Sequence, residues 1–162
     1  MERVYLSLGS NMGDREANLE EAVRLLKEKV RVRKVSALYE TEPWGFKDQD
    51  RFLNIALEGE TDLMPLDLLD FTQGIEMAMK RVKTRVYGPR IIDVDILLYG
   101  DVEMHEDRLT IPHPKMKERA FVLIPLQEIA EDLKIGNEAL SELVSKVDEK
   151  EVTRLEAFHG PL

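Results

Sequence analysis

The sequence predicts an α+β protein with an antiparallel four-stranded sheet, helices on one face of that sheet, and a C-terminal extension. Three observations favour this class. The strand-like segments alternate apolar and polar residues, which is typical of antiparallel sheets. Helical stripes lie between those segments in the order βαββαβ. The 162 residues, 43% of them apolar, are enough for one packed domain spanning residues 1–162.

The first half of this core is a strand, a helix and a second strand. Val4, Leu6 and Leu8 alternate with polar residues and predict the first strand, which a glycine-rich loop ends. Asp14 is the expected N-cap of the first helix. The apolar stripe of that helix comprises Leu19, Ala22, Val23, Leu26 and Val30. Residues 31–42, rich in β-branched side chains, predict the second strand.

The second half repeats this order with a third strand, a helix and a fourth strand. Residues 52–58 predict the third strand, Pro65 begins a helix that runs to about residue 82, and residues 91–99 predict the fourth strand. The stripe of the second helix comprises Leu68, Phe71, Ile75, Ala78 and Val82. A hairpin after Gly100, a helical segment over residues 117–130 with a kink or a break at Pro125, and a short helix with a last strand complete the chain. The βαββαβ order is the ferredoxin-like pattern.

Composition excludes several classes of function. With 23 basic and 32 acidic residues the net charge is −9, which repels nucleic acid over most of the surface. The absence of cysteine excludes disulfides and thiolate chemistry. Apolar runs are far shorter than the roughly 20 residues of a membrane span, and the amino terminus lacks a secretory pattern. We therefore expect a cytoplasmic protein without nucleic-acid or membrane partners, and a monomer rather than an oligomer.

Two aspartates on the fourth strand are the strongest sign of chemistry. Because strand side chains alternate, Asp93 and Asp95 stand about 7 Å apart on one face. The opposite, core-facing set comprises Ile92, Val94, Ile96 and Leu98. A divalent cation with oxygen ligands stabilises such a pair of like charges directly. The alternative is two solvated aspartates on an exposed face.

A basic segment precedes the aspartates. Residues 80–90 contain no acidic side chain and carry Lys80, Arg81, Lys83, Arg85 and Arg90. Magnesium held by carboxylates completes its shell with water and substrate phosphates, and those phosphates need positive charge nearby. The alternative is a solvated helix end, where basic residues complement the helix dipole. Together with the aspartates, the segment indicates a metal and polyphosphate site.

Other residues have both a functional and a structural interpretation. His113 lies between two prolines and either donates a hydrogen bond to phosphate or holds a turn. Phe52 shares a strand face with Asn54, which suits a flat heterocycle, although phenylalanines such as Phe52 and Phe121 are more often core residues. Residues 10–11 either cradle phosphate or cap a helix, and capping is the commoner role.

Several ordered stretches carry a family resemblance. They are SLGSN (7–11), YETEP (39–43), FLN (52–54), GPRIIDVDIL (88–97), RLTIPHP (108–114) and RAFVL (119–123). In these stretches the chain resembles the 6-hydroxymethyl-7,8-dihydropterin pyrophosphokinases of folate biosynthesis. The resemblance implies transfer of a diphosphoryl group from ATP to the pterin hydroxymethyl group, with AMP released, on a ferredoxin-like fold with two Mg²⁺ ions.

The resemblance also implies a role for each matching residue. Asp93 and Asp95 would bind magnesium, and together with Arg81 and Arg90 they would carry the catalysis. The ATP site would consist of Gln73, Glu76, Arg81, Lys83, Arg90, Thr110, His113 and Arg119. The pterin pocket would consist of Thr41, Pro43, Trp44, Phe52, Asn54 and Phe121, with the two phenylalanines stacked on opposite faces of the ring.

The chain departs from the family pattern at three positions. Val86 and Tyr87 stand where the family usually has a basic residue and tryptophan, and Lys83 stands where arginine is common. Lysine is a point charge rather than a bidentate fork, so its contact with phosphate is expected to be looser. None of these changes affects the metal ligands.

Two other functions fit the same residues. A nucleotidyltransferase also uses a Gly-Ser turn and two strand carboxylates, but it releases pyrophosphate and leaves AMP on the acceptor. A non-catalytic module on a small ferredoxin-like domain would bind pterin or ATP without turnover. The products formed from ATP distinguish the three alternatives.

Overall fold

The structure, a computed structural model, describes residues 1–41, 51–83 and 91–160, except for the side chains of 81–83. The strands in these ranges are β1 (Glu2–Ser10), β2 (Val30–Val35), β3 (Tyr39–Thr41), β4 (Phe52–Thr61), β5 (Asp93–Tyr99), β6 (Met104–His105), β7 (Thr110–Ile111), β8 (Lys134–Ile135), β9 (Glu138–Ala139) and β10 (Val152–Arg154). The helices are α1 (Arg15–Leu26), α2 (Pro65–Lys83), α3 (Ala120–Ile129) and α4 (Leu140–Ser145), with short 3₁₀ turns at Met116–Glu118 and Glu149–Glu151.

One antiparallel sheet organises the described residues. Its order is β10–β3–β4–β1–β5, and β2 also pairs with β4. Because β1 pairs with β4 along nearly the whole of β4, both β2 and β3 lie on the opposite edge of that strand. The α+β class with an antiparallel sheet is therefore confirmed.

The predicted sheet of four strands was too small, because in the described residues the main sheet has six. The segment expected to be one strand is divided at residues 36–38 into β2 and β3. Ser36 fixes this division, since its Oγ accepts the Ala56 N–H at 2.9 Å and donates to the Ala37 carbonyl at 2.8 Å. The C-terminal strand β10 then pairs with β3 and extends the sheet.

The prediction that helices cover one face was also wrong, because both faces are covered. α1 and α2 pack against the face that carries Leu6, Leu8 and Ile55. α3 and α4 pack against the opposite face, which carries Tyr5 and Ala56. The physical reason lies in α3, which buries side chains on successive turns and therefore needs a second apolar surface: Ala120, Val122, Leu123, Pro125, Leu126 and Ile129.

Details of the helices confirm some expectations and correct others. Asp14 caps α1, and its Oδ1 accepts the Ala17 N–H at 3.0 Å. Val30 begins β2 rather than ending the α1 stripe. In α2 the expected stripe residue Ala78 is exposed and Met79 is buried instead, which follows the 3.6-residue period from Leu68 more closely. No helix in the described ranges is long and apolar enough to cross a bilayer.

An irregularity in the pairing of β5 with β1 changes the face of the sheet on which one predicted core residue packs. Tyr5 lies opposite Leu98 and Leu6 lies opposite Ile96, so Leu97 is an extra residue in this strand pair. Leu98 therefore packs on the α3 face and not beside Ile96 as expected. Asp93 and Asp95 precede the irregularity and keep the shared face that alternation predicts.

Candidate active site

The strand register brings predicted metal and substrate residues to one end of the α3 face. Asp93 on β5 lies opposite Gly9 on β1, and Gly9 lies opposite Asn54 on β4. At a strand spacing of about 4.8 Å, the backbones at Asp93 and Asn54 are about 10 Å apart. Asp95 lies opposite Ser7 in the next row along the same face. The carboxylates thus lie one strand away from the predicted pterin residues.

The predicted pterin residues of β3 and β4 form a connected polar platform. Asn54 Nδ2 donates to Thr41 Oγ1 at 3.0 Å, and both side chains are buried. Thr41 lies opposite Phe52, which is half-buried at the start of β4. Phe121 lies in the first turn of α3, the helix that covers this face, and packs partly buried against its cluster. An amide and aromatic rings on one face suit a flat, hydrogen-bonding ligand.

Glu76, which is predicted to lie in the ATP site, forms a hydrogen bond with the backbone of β5. Glu76 Oε2 accepts the Val94 N–H at 2.9 Å, which ties α2 to the edge strand β5 midway between Asp93 and Asp95. Gln73 lies about one turn earlier on the same helix and is exposed. Glu76 therefore supports the strand that carries both carboxylates.

Removing the Glu76 carboxylate should loosen that strand. In Glu76→Ala the Val94 amide loses its acceptor, so its hydrogen exchange should accelerate by roughly tenfold or more. Glu76→Gln keeps a side-chain oxygen acceptor and should retain the protection. Exchange monitored by NMR at Val94 checks this, and equal protection in the alanine variant would contradict the assigned role.

His113 lies near Asp95, and its backbone and ring are both held by hydrogen bonds. Its backbone N–H donates to the Leu97 carbonyl at 3.0 Å, and its Nδ1 accepts the Lys115 N–H at 3.2 Å. Burial lowers the pKa of His113, with a smaller opposing effect from the nearby Asp95 charge. At neutral pH the ring is therefore uncharged with its proton on Nε2, which makes it a hydrogen-bond donor suited to a phosphate oxygen.

The other predicted nucleotide residues in the described part lie on two further elements. Thr110 is half-buried on β7, opposite His105. Arg119 lies just before α3, with its guanidinium carbon 5.5 Å from the centroid of the Phe121 ring, a cation–π contact. This contact links Arg119, a predicted nucleotide residue, to Phe121, a predicted pterin residue.

Several predicted site residues fall outside the described part. Pro43, Trp44 and Arg90 lie outside the described residues, as do the side chains of Arg81 and Lys83. The same holds for the family departures at 86–87. Their assigned roles therefore stay predictions from the sequence.

The donor chemistry of the two aspartates fits magnesium. Both are partly exposed on one face, and carboxylate oxygens are hard ligands. Magnesium is commonly held by one or two carboxylates, with water and substrate phosphates as its other ligands. Among residues 1–41, 51–83 and 91–160 no group of three or more His, Asp or Glu side chains could hold a metal.

Gly9, which the sequence predicts to begin the glycine-rich loop after the first strand, lies within β1 in the structure, between Asp93 and Asn54. A Cβ at this position would lie 2.7 Å from Asn54 Oδ1 and 3.6 Å from Phe52 Cδ1. Glycine therefore lets the Asn54 amide approach β1 this closely, whereas the Phe52 ring would lie at an ordinary contact distance from an added Cβ. The signal that identifies Gly9 is the strand register, which the sequence alone does not supply.

Gly9→Ala should therefore impair pterin binding specifically. The added methyl displaces Asn54 and should leave a buried polar group of the bound pterin unpaired, which costs about 1–3 kcal/mol, or roughly five- to 150-fold in affinity. ATP affinity should change little. Gly74→Ala is the matched control, because a Cβ there meets nothing within 4 Å. Unchanged pterin affinity in a calorimetric titration of Gly9→Ala would contradict this account.

The fold and the predicted site together are typical of a transferase that takes a phosphate donor and a small heterocycle as its substrates. Comparison with known proteins identifies the family. A model of the 7,8-dihydro-6-hydroxymethylpterin-pyrophosphokinase family matches residues 5–131. The chain belongs to this family.

Individual relatives agree with this assignment. The chain is 48% identical over 158 residues to a 2-amino-4-hydroxy-6-hydroxymethyldihydropteridine pyrophosphokinase of Methylorubrum extorquens, covering 96% of this chain and 100% of the relative. It is 48% identical over 131 residues to the Bacillus subtilis protein of the same name, covering 80% of this chain and 78% of the relative.

A likeness to solved structures supports the fold. The Plasmodium falciparum HPPK-DHPS structure with pterin and p-hydroxybenzoate matches with a TM-score of 0.75 at 18% identity, over 94% of this chain. The match covers 46% of that longer chain, so this protein corresponds to about half of it.

Proposed function

We propose that this protein transfers the diphosphoryl group of ATP to the hydroxymethyl group of 6-hydroxymethyl-7,8-dihydropterin in folate biosynthesis. The products are the pterin diphosphate and AMP. The observation that carries the proposal is the register row Asp93–Gly9–Asn54, in which Asp93 and Asn54 lie on the strands that flank Gly9; it supports a metal site next to a pterin pocket. Family membership supports the same reaction.

Asp93 and Asp95 are proposed to hold magnesium, with two ions expected when ATP is bound. Bound to these carboxylates, magnesium would supply positive charge to offset the triphosphate and would polarise the phosphoryl group that is transferred. Asp93 and Asp95 keep their carboxylates on one face of β5, and Glu76 holds that strand from the other side through Val94. The two carboxylates thus provide a fixed oxygen face for the cation, whose charge would in turn attract the nucleotide phosphates.

The ATP site is proposed to include Gln73, Glu76, Arg81, Lys83, Arg90, Thr110, His113 and Arg119. His113 donates from Nε2, while the basic side chains offset charge that develops during transfer. Arg81 and Arg90 are proposed as the catalytic cations. We assign no general base, because positioning accounts for much of phosphoryl transfer.

The pterin pocket is proposed to consist of Thr41, Pro43, Trp44, Phe52, Asn54 and Phe121. Its role is to present the pterin hydroxyl to the β-phosphorus of ATP. The hydroxyl oxygen bonds to that phosphorus, the bond from phosphorus to the α,β-bridging oxygen breaks, and AMP leaves with the bridging oxygen. The hydroxyl proton passes to solvent.

We also propose that β1, α1, β2, β4, α2 and β5 are a ferredoxin-like core. The observed pairing β5–β1–β4–β2 supports this description, with β3 and β10 as additions along one edge. A cytoplasmic location and a monomeric state remain predictions from the sequence.

Product analysis tests the proposed reaction. Incubation with ATP, Mg²⁺ and the pterin should yield AMP and pterin diphosphate in equal amounts. Pyrophosphate as the main by-product would indicate a nucleotidyltransferase. Binding of both substrates without turnover would indicate a binding module.

A further inference from the structure

Glu128, a residue with no assigned role, connects α3 to the strand that carries Thr41. Glu128 Oε2 accepts the backbone N–H of Ala37 at 3.0 Å, and Oε1 accepts the Tyr39 hydroxyl at 2.6 Å. Arg154 of β10 places its Nε 3.6 Å from the same Oε1. One carboxylate therefore contacts three separate places along the edge of the sheet.

The contacts of Glu128 lie in and next to β3, the strand that contributes Thr41 to the proposed pterin pocket. Ala37 lies in the interruption between β2 and β3, and both Ala37 and Tyr39 are buried. Tyr39 lies opposite Asn54 in the register, and Thr41 follows on the same face two residues later. A shift of Tyr39 would therefore move the two residues that form the Asn54–Thr41 hydrogen bond.

Glu128 itself belongs to α3, the helix that carries Phe121 on the other side of the proposed pterin pocket. Glu128 is seven residues after Phe121 in α3, so the two side chains lie on the same helix face, about 10 Å apart along the axis. Pro125 lies between them and cannot donate the helical hydrogen bond to the Phe121 carbonyl. The placement of α3 against β3 thus depends on contacts such as those of Glu128.

We propose that Glu128 is a positioning residue that fixes α3 against β3 and thereby sets the spacing between Phe121 and the Thr41–Asn54 platform. This inference rests on the proposed function of that platform as the pterin pocket. Glu128 acts through Tyr39 and Ala37 and does not itself contact the substrate. Arg154 extends the connection to the C-terminal strand.

Two substitutions and a matched control test the proposal. Glu128→Ala removes every contact. Glu128→Gln can keep the two hydrogen bonds but loses the ion pair with Arg154, because its Oε1 can accept the Ala37 N–H while its amide donates to the Tyr39 hydroxyl oxygen. Glu131→Ala removes an exposed glutamate just beyond α3 and leaves these contacts intact.

Calorimetric titrations of folded protein give the first readout. Glu128→Ala should bind the pterin roughly tenfold or more weakly, because a small displacement of α3 relative to β3 misplaces the groups that contact the ring. Its ATP affinity should stay within about twofold of the wild-type value. Glu128→Gln and Glu131→Ala should both bind the pterin nearly as the wild type does. A structural role alone would lower the melting temperature without this separation between the two ligands.

The ionisation of Tyr39 gives a second readout that needs no ligand. Burial, followed by the contact with Glu128, raises the pKa of Tyr39 to about 12. In Glu128→Ala the ¹³Cζ resonance of Tyr39 should begin to titrate at lower pH, and in Glu131→Ala it should not.

Three results would overturn the inference: wild-type pterin affinity in folded Glu128→Ala, equal losses for pterin and ATP, or a Glu128→Gln variant as weak as Glu128→Ala. If the wild type itself bound no pterin, the proposed function would fail, and the inference would fail with it. Normal wild-type binding together with any of the three results overturns the inference alone.

Discussion

Replacing Asp95 or Asp93 with alanine is expected to abolish turnover while the fold survives. Each substitution removes a proposed magnesium ligand and leaves the other carboxylate to repel the nucleotide phosphates. Loss of several kcal/mol of transition-state stabilisation corresponds to roughly a thousandfold in rate. Without metal, each variant should melt at the wild-type temperature or slightly above it, because repulsion between the two carboxylates is relieved.

Steady-state rates and thermal melting of the apoprotein check this expectation. Asp101→Ala is the matched control, because Asp101 is an exposed aspartate in the turn just after β5. It should leave both rate and metal dependence unchanged. Wild-type activity in Asp93→Ala or Asp95→Ala would refute the metal assignment.

Truncation of Phe121 or Asn54 should weaken pterin binding and leave ATP binding nearly unchanged. Phe121→Ala removes a stacking face, and Asn54→Ala removes an amide that also donates to Thr41. Each is expected to cost about 1–3 kcal/mol, or roughly five- to 150-fold in pterin affinity. Turnover at saturating ATP should fall as well, because a misplaced hydroxyl is poorly aligned for in-line transfer.

Phe121 also packs against the α3 cluster, so its substitution needs a control for packing. Leu133→Ala removes a partly buried side chain from the same cluster, beyond α3. It should lower the melting temperature without changing the ratio of pterin to ATP affinity. If Phe121→Ala lowered both affinities equally and destabilised the protein, Phe121 would be a packing residue and not a recognition residue.

The local parts of the fold could be predicted from the sequence because they depend on nearby residues. Alternation identified β1, β4 and β5, and Asp14 marked the start of α1. The division of residues 30–41 into two strands could not be predicted, because it depends on Ser36 bonding to Ala56 across the sheet. The placement of α3 on the second face likewise depends on packing between distant segments.

The candidate site, like the fold, could be predicted from the sequence only where it depends on residues close together in the chain. Alternation correctly placed Asp93 and Asp95 on a shared face, and it correctly paired Phe52 with Asn54 on another strand. The position of Gly9 between Asp93 and Asn54 depends on how β1 pairs with both neighbours, which composition and spacing do not reveal. Glu76 and Glu128 also contact residues distant in sequence, and only the folded structure identifies Val94, Ala37 and Tyr39 as their partners.

The most direct test of the central claim follows the phosphorus atoms of ATP. With ATP labelled at the β-phosphate, Mg²⁺ and 6-hydroxymethyl-7,8-dihydropterin, the label should appear in the pterin product, with one AMP formed for each pterin consumed. The reaction should stop when the metal is chelated. Label released as free pyrophosphate, or ADP as the main nucleotide product, would contradict diphosphoryl transfer by this protein.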